Sequence, residues 1–263
     1  MSAERWPRAV LWGLMLLLAV PVLATLLYSL STVWGATVLP QGLTGHWYQQ
    51  VWSEPRFLAA FGHSLLVAGA SLLLATLLVV PAGFVIFYYF PGLDRWMNGL
   101  ILLQFALPPV VSSVGLLQLY ADGPLPLVGT PWVLLGCYTT LVLPFLYRAL
   151  ADSLRGIGLH DLMDAAHLLG ASTPAAFWHV VLPNLRQGLL GALFLSLALL
   201  FGEFVFANLL VGNNFETLNV YLYSVRKTSG HYTSAVVISY FVFTLVATWL
   251  ATHLSHNNLT KTA

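Results

Sequence analysis

The chain has 263 residues, 59% of them hydrophobic and only 7% charged, with a mean hydropathy of +0.82 and a formal net charge of +1. Water-soluble domains carry about 25% charged residues, so a chain this poor in charge cannot cover its own surface in water, and an integral membrane protein is predicted. The near-neutral balance, without any basic stripe, leaves no electrostatic footprint for nucleic acid.

In chain order, "RWPR" at 5–8 precedes an apolar run from Ala9 to about Leu30. That run is too long for the h-region of a signal peptide and long enough to span, so it reads as an uncleaved first helix. Six stretches reach the spanning length: about 9–30, 62–88, 98–120, 132–150, 187–211 and 232–254. They are continuous rather than alternating with period two, which excludes a barrel and predicts an all-α, six-helix membrane bundle in one domain over 1–263. The pieces between them, 31–61 and 212–231 the largest outside, are too short for independent cores.

Lys/Arg asymmetry orients the bundle. Arg5, Arg8, Arg95, Arg148, Arg155, Arg186 and Lys261 fall on one side; Arg56, Arg226 and Lys227 on the other. The positive-inside rule then predicts both termini in the cytoplasm. "GHWYQQVW" at 45–52, with Trp47, Tyr48 and Trp52, reads as an interfacial aromatic belt or amphipathic helix rather than a ligand cage. Arg226, Lys227 and His231 on the outer side suit either an acidic docking partner or a solvated loop.

Two spans hold polar residues. In the third, Gln104, Ser112 and Ser113 flank Pro108-Pro109, which should break or kink the helix. A broken helix beside polar groups suits a pathway or gate, and equally suits kinking with helix–helix hydrogen bonds. In "LFGEFVFANLL", Glu203 lies within the fifth stretch, with Asn208 a turn on. An ionised carboxylate is costly in hydrocarbon, so Glu203 either lines a path or is a structural acid bonded to a neighbouring helix. Cys137, the single cysteine, reads as a small buried hydrophobe, and no intrachain disulfide can form.

No nucleotide-binding P-loop, H-E-x-x-H or G-x-S-x-G occurs, and the eight histidines are scattered. No catalytic constellation, cofactor site or metal site is predicted. An intramembrane enzyme built on Glu203, or a channel-like subunit, are the readings from other classes.

A polar segment punctuated by glycine and proline, "DAAHLLGASTPAAFWHVVLP", Asp164–Pro183, lies between two apolar runs on the predicted cytoplasmic side. Leu159, Leu162, Ala166 and Leu169 recur on one helical face over 159–169, with Asp161 and Asp164 early, where the helix dipole favours them. Gly170 offers a left-handed stop. Ser172 or Thr173 can cap a second short helix with Pro174 in its first turn, and Pro183 should end it before the next span. The prediction is a structured knob. Ala165, Ala166 and Gly170 suit close approach of a partner; the same residues suit internal packing.

The spacing of this segment resembles the "EAA" signature of binding-protein-dependent ABC importer permeases: E-A-A, three residues, G, nine residues, I-x-L-P. Here Asp164-Ala165-Ala166, three residues, Gly170, nine residues, then Val180-x-Leu182-Pro183 fit it, with Asp for Glu and Val for Ile. "FALPPVV" in the third span and "GEF" in the fifth extend the likeness along the chain. The resemblance implies a type I permease fold whose cytoplasmic loop, about 151–186, docks as coupling helices on a separate ATPase dimer. It also implies a second permease subunit, identical or different, a periplasmic solute-binding protein, and a bacterial inner membrane. "GEF" followed by "TLNVYLYSV" is most similar to the polyamine, aminoethylphosphonate, ferric-iron and thiamine branch. That suggests a polyamine or related small charged solute, with the other three as alternatives.

Overall fold

The computed structural model describes residues 5–35, 37, 39–122 and 124–256. Helix dominates them, with one isolated antiparallel bridge, Ser31 to Leu43. The elements are α1 (Arg5–Leu30), α2 (His46–Ser53), α3 (Pro55–Tyr89), α4 (Leu93–Ala106), α5 (Pro109–Tyr120), α6 (Pro131–Gly156), α7 (Leu159–Leu168), α8 (Thr173–Ala176), α9 (Leu182–Phe201), α10 (Leu218–Val225) and α11 (Gly230–His256). Two π-helical turns, Phe177–Val181 and Ala207–Val211, follow α8 and precede α10. Five helical runs are long and apolar enough to cross a membrane, and a sixth is completed if α4 and α5 count as one bent span.

Several helices outrun their apolar cores. α3 begins at Pro55, seven residues before the predicted start at 62, because proline in a first turn gives up an N–H that would have no partner there anyway. α6 continues six residues beyond 150, to Gly156, on buried Ala151 and Leu154.

The chain forms two compact units. The first comprises 1–59 and 221–245. Here the segment after α1 folds back on itself, with Thr32 N–H donating to Gly42 O (3.1 Å) and Gln41 N–H to Val33 O (2.9 Å). Two of the three aromatics of α2 bond back to the end of α1 and the residue after it. Trp47 Nε1 donates to Ser31 O (2.9 Å), Tyr48 hydroxyl meets Ser29 Oγ (2.6 Å), and Trp52 alone of the three is exposed. His231 stacks between Tyr28 (4.1 Å) and Trp47 (5.6 Å) and is half-buried. Arg226 lies on the ring of Tyr223 and donates to its carbonyl.

The second unit comprises 60–220 and 246–263 and centres on the pairing of α6 with α9. Leu134, Tyr138, Val142, Leu146, Leu150 and Leu154 recur every four residues on α6, each at most 2% exposed. Leu185, Leu189, Ala192, Ser196 and Leu200 form the buried row on α9. Ridges along i±4 rows interlock in this way, and small residues bring membrane helices close. Gly188 is such a residue: a Cβ there would land on the Ser153 side chain.

The fifth stretch is not one helix over 187–211. α9 ends at Phe201, and Gly202–Phe204 form a break before the turn at Ala207–Val211. Every break exposes unpaired carbonyls on one side and unpaired amides on the other. Both sets find side chains here. Asn219 Nδ2 donates to Phe201 O (2.7 Å) and Glu203 O (3.0 Å). The Glu203 carboxylate accepts from Phe206 N–H (2.8 Å), Ala207 N–H (3.2 Å) and the Tyr138 hydroxyl (3.0 Å). Glu203 therefore sits in the break as the N-terminal cap of the next turn, a place where an acid is favoured.

Two outcomes follow. Glu203→Ala leaves two amides and a phenol without their acceptor and should cost on the order of 3 kcal/mol, read as a lowered Tm in detergent; Glu203→Gln, keeping one acceptor oxygen, should cost less. Gly188→Leu should force α6 from α9 and destabilise by roughly 2 kcal/mol. Combining it with Ser153→Ala should recover part of that in the same melt; no recovery would rule out Ser153 as the obstacle.

Candidate coupling surface and translocation cleft

α6 feeds the polar segment through Ile157 and Gly158, the latter at φ +60°. α7 then spans Leu159–Leu168, with Leu159, Met163 and Ala166 as its buried face. Met163 takes the core position that the spacing gave to Leu162, which is half-buried. α7 packs on α8 and the π turn behind it, where Phe177 meets Phe84 of α3 at 4.8 Å.

The C-terminus of α7 is closed by a double backbone bond. Ala171 N–H donates to Ala166 O (3.0 Å), and Gly170 N–H to His167 O (2.9 Å). This is the Schellman arrangement, which needs a left-handed residue at its centre; Gly170 supplies it at φ +86°. A Cβ on Gly170 would meet open space, so glycine is required there by its backbone conformation and not by crowding. The turn throws Leu168 and Leu169 outward, 89% and 90% exposed. Leu169 thus leaves the buried face that its spacing assigned to it, because the helix has ended. Asp164 and Ala165 also face out, while Ala166 faces the protein.

The second short helix restarts at Ser172 without a side-chain cap; Thr173 Oγ1 instead meets His167 Nε2 at 3.3 Å. Pro183 does not end it. Helix continues from Thr173 to Phe201. The π turn before Pro183 explains why: a wider i→i+5 loop, with Leu182 N–H donating to Phe177 O, redistributes the bonds that a proline would break. Asn184 Nδ2 adds a bond to Val180 O (2.8 Å). Val180 and Leu182 are half-buried, Pro183 is exposed, and Trp178 presents 61% of its surface beside them.

α4 and α5 meet at 89° across Pro108-Pro109. A residue before proline is pushed out of the helical region, and Leu107 (ψ 117°) and Pro108 (ψ 139°) both are extended. The bend opens a cleft of about 670 Å³ between α4, α5 and α6, mostly apolar, where Gln104, Pro109 and Ser112 meet Cys137, Thr140 and Phe206. Ser113 is buried and donates back to Pro109 O (2.8 Å), so it serves the bend. Pro108 is exposed. Glu203 and Asn208 do not line this cleft. Glu203 accepts from the amide of Phe206, a residue of the cleft wall, and Asn208 is half-buried, its backbone N–H donating to Phe204 O at 2.8 Å.

Tyr138 and Asn219, partners of the break, were not singled out by sequence reasoning. A tyrosine inside an apolar run and an asparagine in "TLNVYLYSV" carry no local pattern that pairs them with Glu203, 65 and 16 residues away.

Among solved structures, a bacterial ABC transporter involved in the import of the acidic polysaccharide alginate shares this fold, with a TM-score of 0.67, 16% identity and 98% of each chain covered. A permease protein named for 2-aminoethylphosphonate transport, PhnV of Salmonella typhimurium, is 29% identical over 78% of this chain and 76% of its own length. The spermidine/putrescine transport system permease protein PotC of Escherichia coli K12 is 28% identical over 71% and 70%. The sequence family described as the binding-protein-dependent transport system inner membrane component matches residues 77–258, well over half the chain. This protein therefore belongs to that family, the multi-pass membrane permeases of ABC importers.

Proposed function

We propose that the α7 knob is the seat of a separate ATPase subunit, and that this chain pairs with a second permease subunit, identical or different, to move a small amine-bearing charged solute delivered by a binding protein. The observation that carries the reading is the Schellman turn at Gly170, which fixes two adjacent leucines almost fully outward on a rigid support. Exposed leucines cost nothing in lipid, but this segment follows Arg155 and precedes Arg186, in a polar stretch that suits water and not hydrocarbon. On a solvated face, such a pair is the core of a protein contact.

The resemblance to the "EAA" segment agrees with this seat, and Asp164 and Ala165 lie on its open side. Docked ATPases that close on nucleotide would draw two such knobs together, biasing a bistable core between inward- and outward-facing states. The cleft beside Pro108-Pro109, with Gln104 and Ser112, is the candidate wall of the path, and the Glu203–Asn208 turn is the frame behind it. On charge bias, the knob and both termini face the cytoplasm of a bacterium, with the binding protein on the other side. ATP is hydrolysed by the partner chain; this one supplies the path.

For the solute, the two relatives named above point one way. The solutes in their names, 2-aminoethylphosphonate and spermidine or putrescine, share a protonated amine. Ferric iron and thiamine remain alternatives from the wider resemblance.

Gly170→Arg and Asp164→Lys should each reduce co-purification of the ATPase by about tenfold or more, since a contact worth 1.4 kcal/mol is a factor of ten. Both should abolish ATP-dependent uptake while leaving this chain folded in the membrane. An ATPase that stays bound and coupled to Gly170→Arg would sink the reading. In proteoliposomes containing the full complex, 2-aminoethylphosphonate or putrescine should stimulate ATP hydrolysis through the binding protein, and thiamine should not. Stimulation by thiamine alone would reassign the solute.

A further inference from the structure

Asp94 is an acid that neither the knob nor the cleft uses directly. It stands in the first turn of α4, just after the tight turn in which Leu93 N–H donates to Phe90 O (2.9 Å) and Asp94 N–H to Pro91 O (3.3 Å). Its carboxylate reaches α6 at two points. Arg155 Nη2 donates to Oδ2 at 2.6 Å, and the Tyr147 hydroxyl to Oδ1 at 2.9 Å. Asn98 Nδ2 adds a third bond to Oδ1 at 3.0 Å and holds the Asp94 carbonyl at 2.8 Å. The Arg155 guanidinium lies 5.3 Å from the ring centroid of Phe87 on α3, and also meets Asp152 Oδ1 at 3.4 Å.

One carboxylate thus grips α6 along its last turns. The Asp94 side chain is 20% exposed and that of Arg155 52%. An isolated exposed ion pair stabilises little. Two donors from α6 on one carboxylate, one of them charged, fix direction and register instead, with Asn98 of α4 itself steadying the carboxylate. Apolar contacts alone are non-directional and leave such a register free to slide. The two helices so joined have different ends. α4 leads within ten residues to Gln104 and the bend that opens the cleft. α6 leads three residues after Arg155 to Gly158 and the knob.

We propose that Asp94 is the positioning residue that locks α4 to α6, so that displacement of α7 moves the α4–α5 bend and changes the cleft. This rests on the reading of α7 as an ATPase seat.

Cys137, the only cysteine of the chain, lines the cleft and reports on it. The experiment uses the full complex with its ATPase and binding protein in lipid nanodiscs. Modification of Cys137 by a small neutral maleimide is followed by mass spectrometry of its peptide, which separates it from thiols on partner chains. MgATP with vanadate should change the wild-type rate about fivefold or more, the lower range of allosteric couplings. In Asp94→Asn, which keeps the shape but loses the ion pair, the change should fall below about twofold, with complex yield and basal ATP hydrolysis retained. Asp94→Glu should restore part of the change. If Asp94→Asn fails to assemble, Tyr147→Phe decides, because it removes a single hydroxyl; its response should fall between the wild type and no change. A full wild-type change in Asp94→Asn, or in Tyr147→Phe where that variant decides, overturns the proposal. So does a wild-type complex whose Cys137 ignores nucleotide. Failure of the seat reading is seen separately, as Gly170→Arg complexes that still hold their ATPase.

Discussion

Backbone amides and carbonyls inside an apolar span have no water to turn to, and this requirement governs where a span can leave the helix. Among the described residues two breaks interrupt the apolar stretches, at Pro108-Pro109 and at Gly202–Phe204, and each brings its own partners. At Pro108-Pro109, proline removes donors that would otherwise be orphaned, and the Ser113 hydroxyl ties the next turn back to Pro109 O. At Gly202–Phe204 nothing is removed, so two side chains are recruited: Asn219 for the carbonyls and Glu203 for the amides. A carboxylate in a membrane span invites a transport role, yet here its contacts are those of a cap. Its cost is offset by three donors, which is what makes an irregular wall tolerable beside the cleft.

α6 is the common member of the second unit. One row of its side chains interlocks with α9 every fourth residue, Tyr138 steadies the break, and Tyr147 with Arg155 receives Asp94. The sites named for function are all one step from it. The cleft uses its N-terminal half, through Cys137 and Thr140, and the knob hangs from its C-terminal end. The same fold occurs in a solved structure at 16% identity, so it does not depend on the identity of most residues.

Much of this was legible in the sequence. Charge poverty and long apolar runs gave the class, and the gaps around Asp164, Gly170 and Leu182-Pro183 gave the family, because glycine and proline act locally through backbone conformation. What was not legible is what depends on distant partners or on continuous helix. Pro183 reads as a terminator, and only the π turn before it lets the helix pass. Glu203 reads as mid-span because the residues on either side are equally apolar, so nothing in periodicity marks where α9 ends. Leu162 and Met163 are both apolar, and which one faces inward depends on how α7 lies against α8. The grip of Asp94 on Arg155 joins residues 61 apart, and no local pattern encodes it.

The π turn at Phe177–Val181 has a further meaning for how such a protein can change over time. A π turn is an α-helix carrying one extra residue, and each residue in a helix accounts for about 100° of rotation. Phe177, Val181, Leu185 and Leu189, within and beyond it, are all buried. Losing one residue there would straighten the helix and swing the knob around its axis while leaving every knob residue intact. The orientation of the surface carrying Leu168 and Leu169 is therefore held by chain length, so a single-residue insertion or deletion in this turn would re-aim that surface where a substitution would leave its direction unchanged.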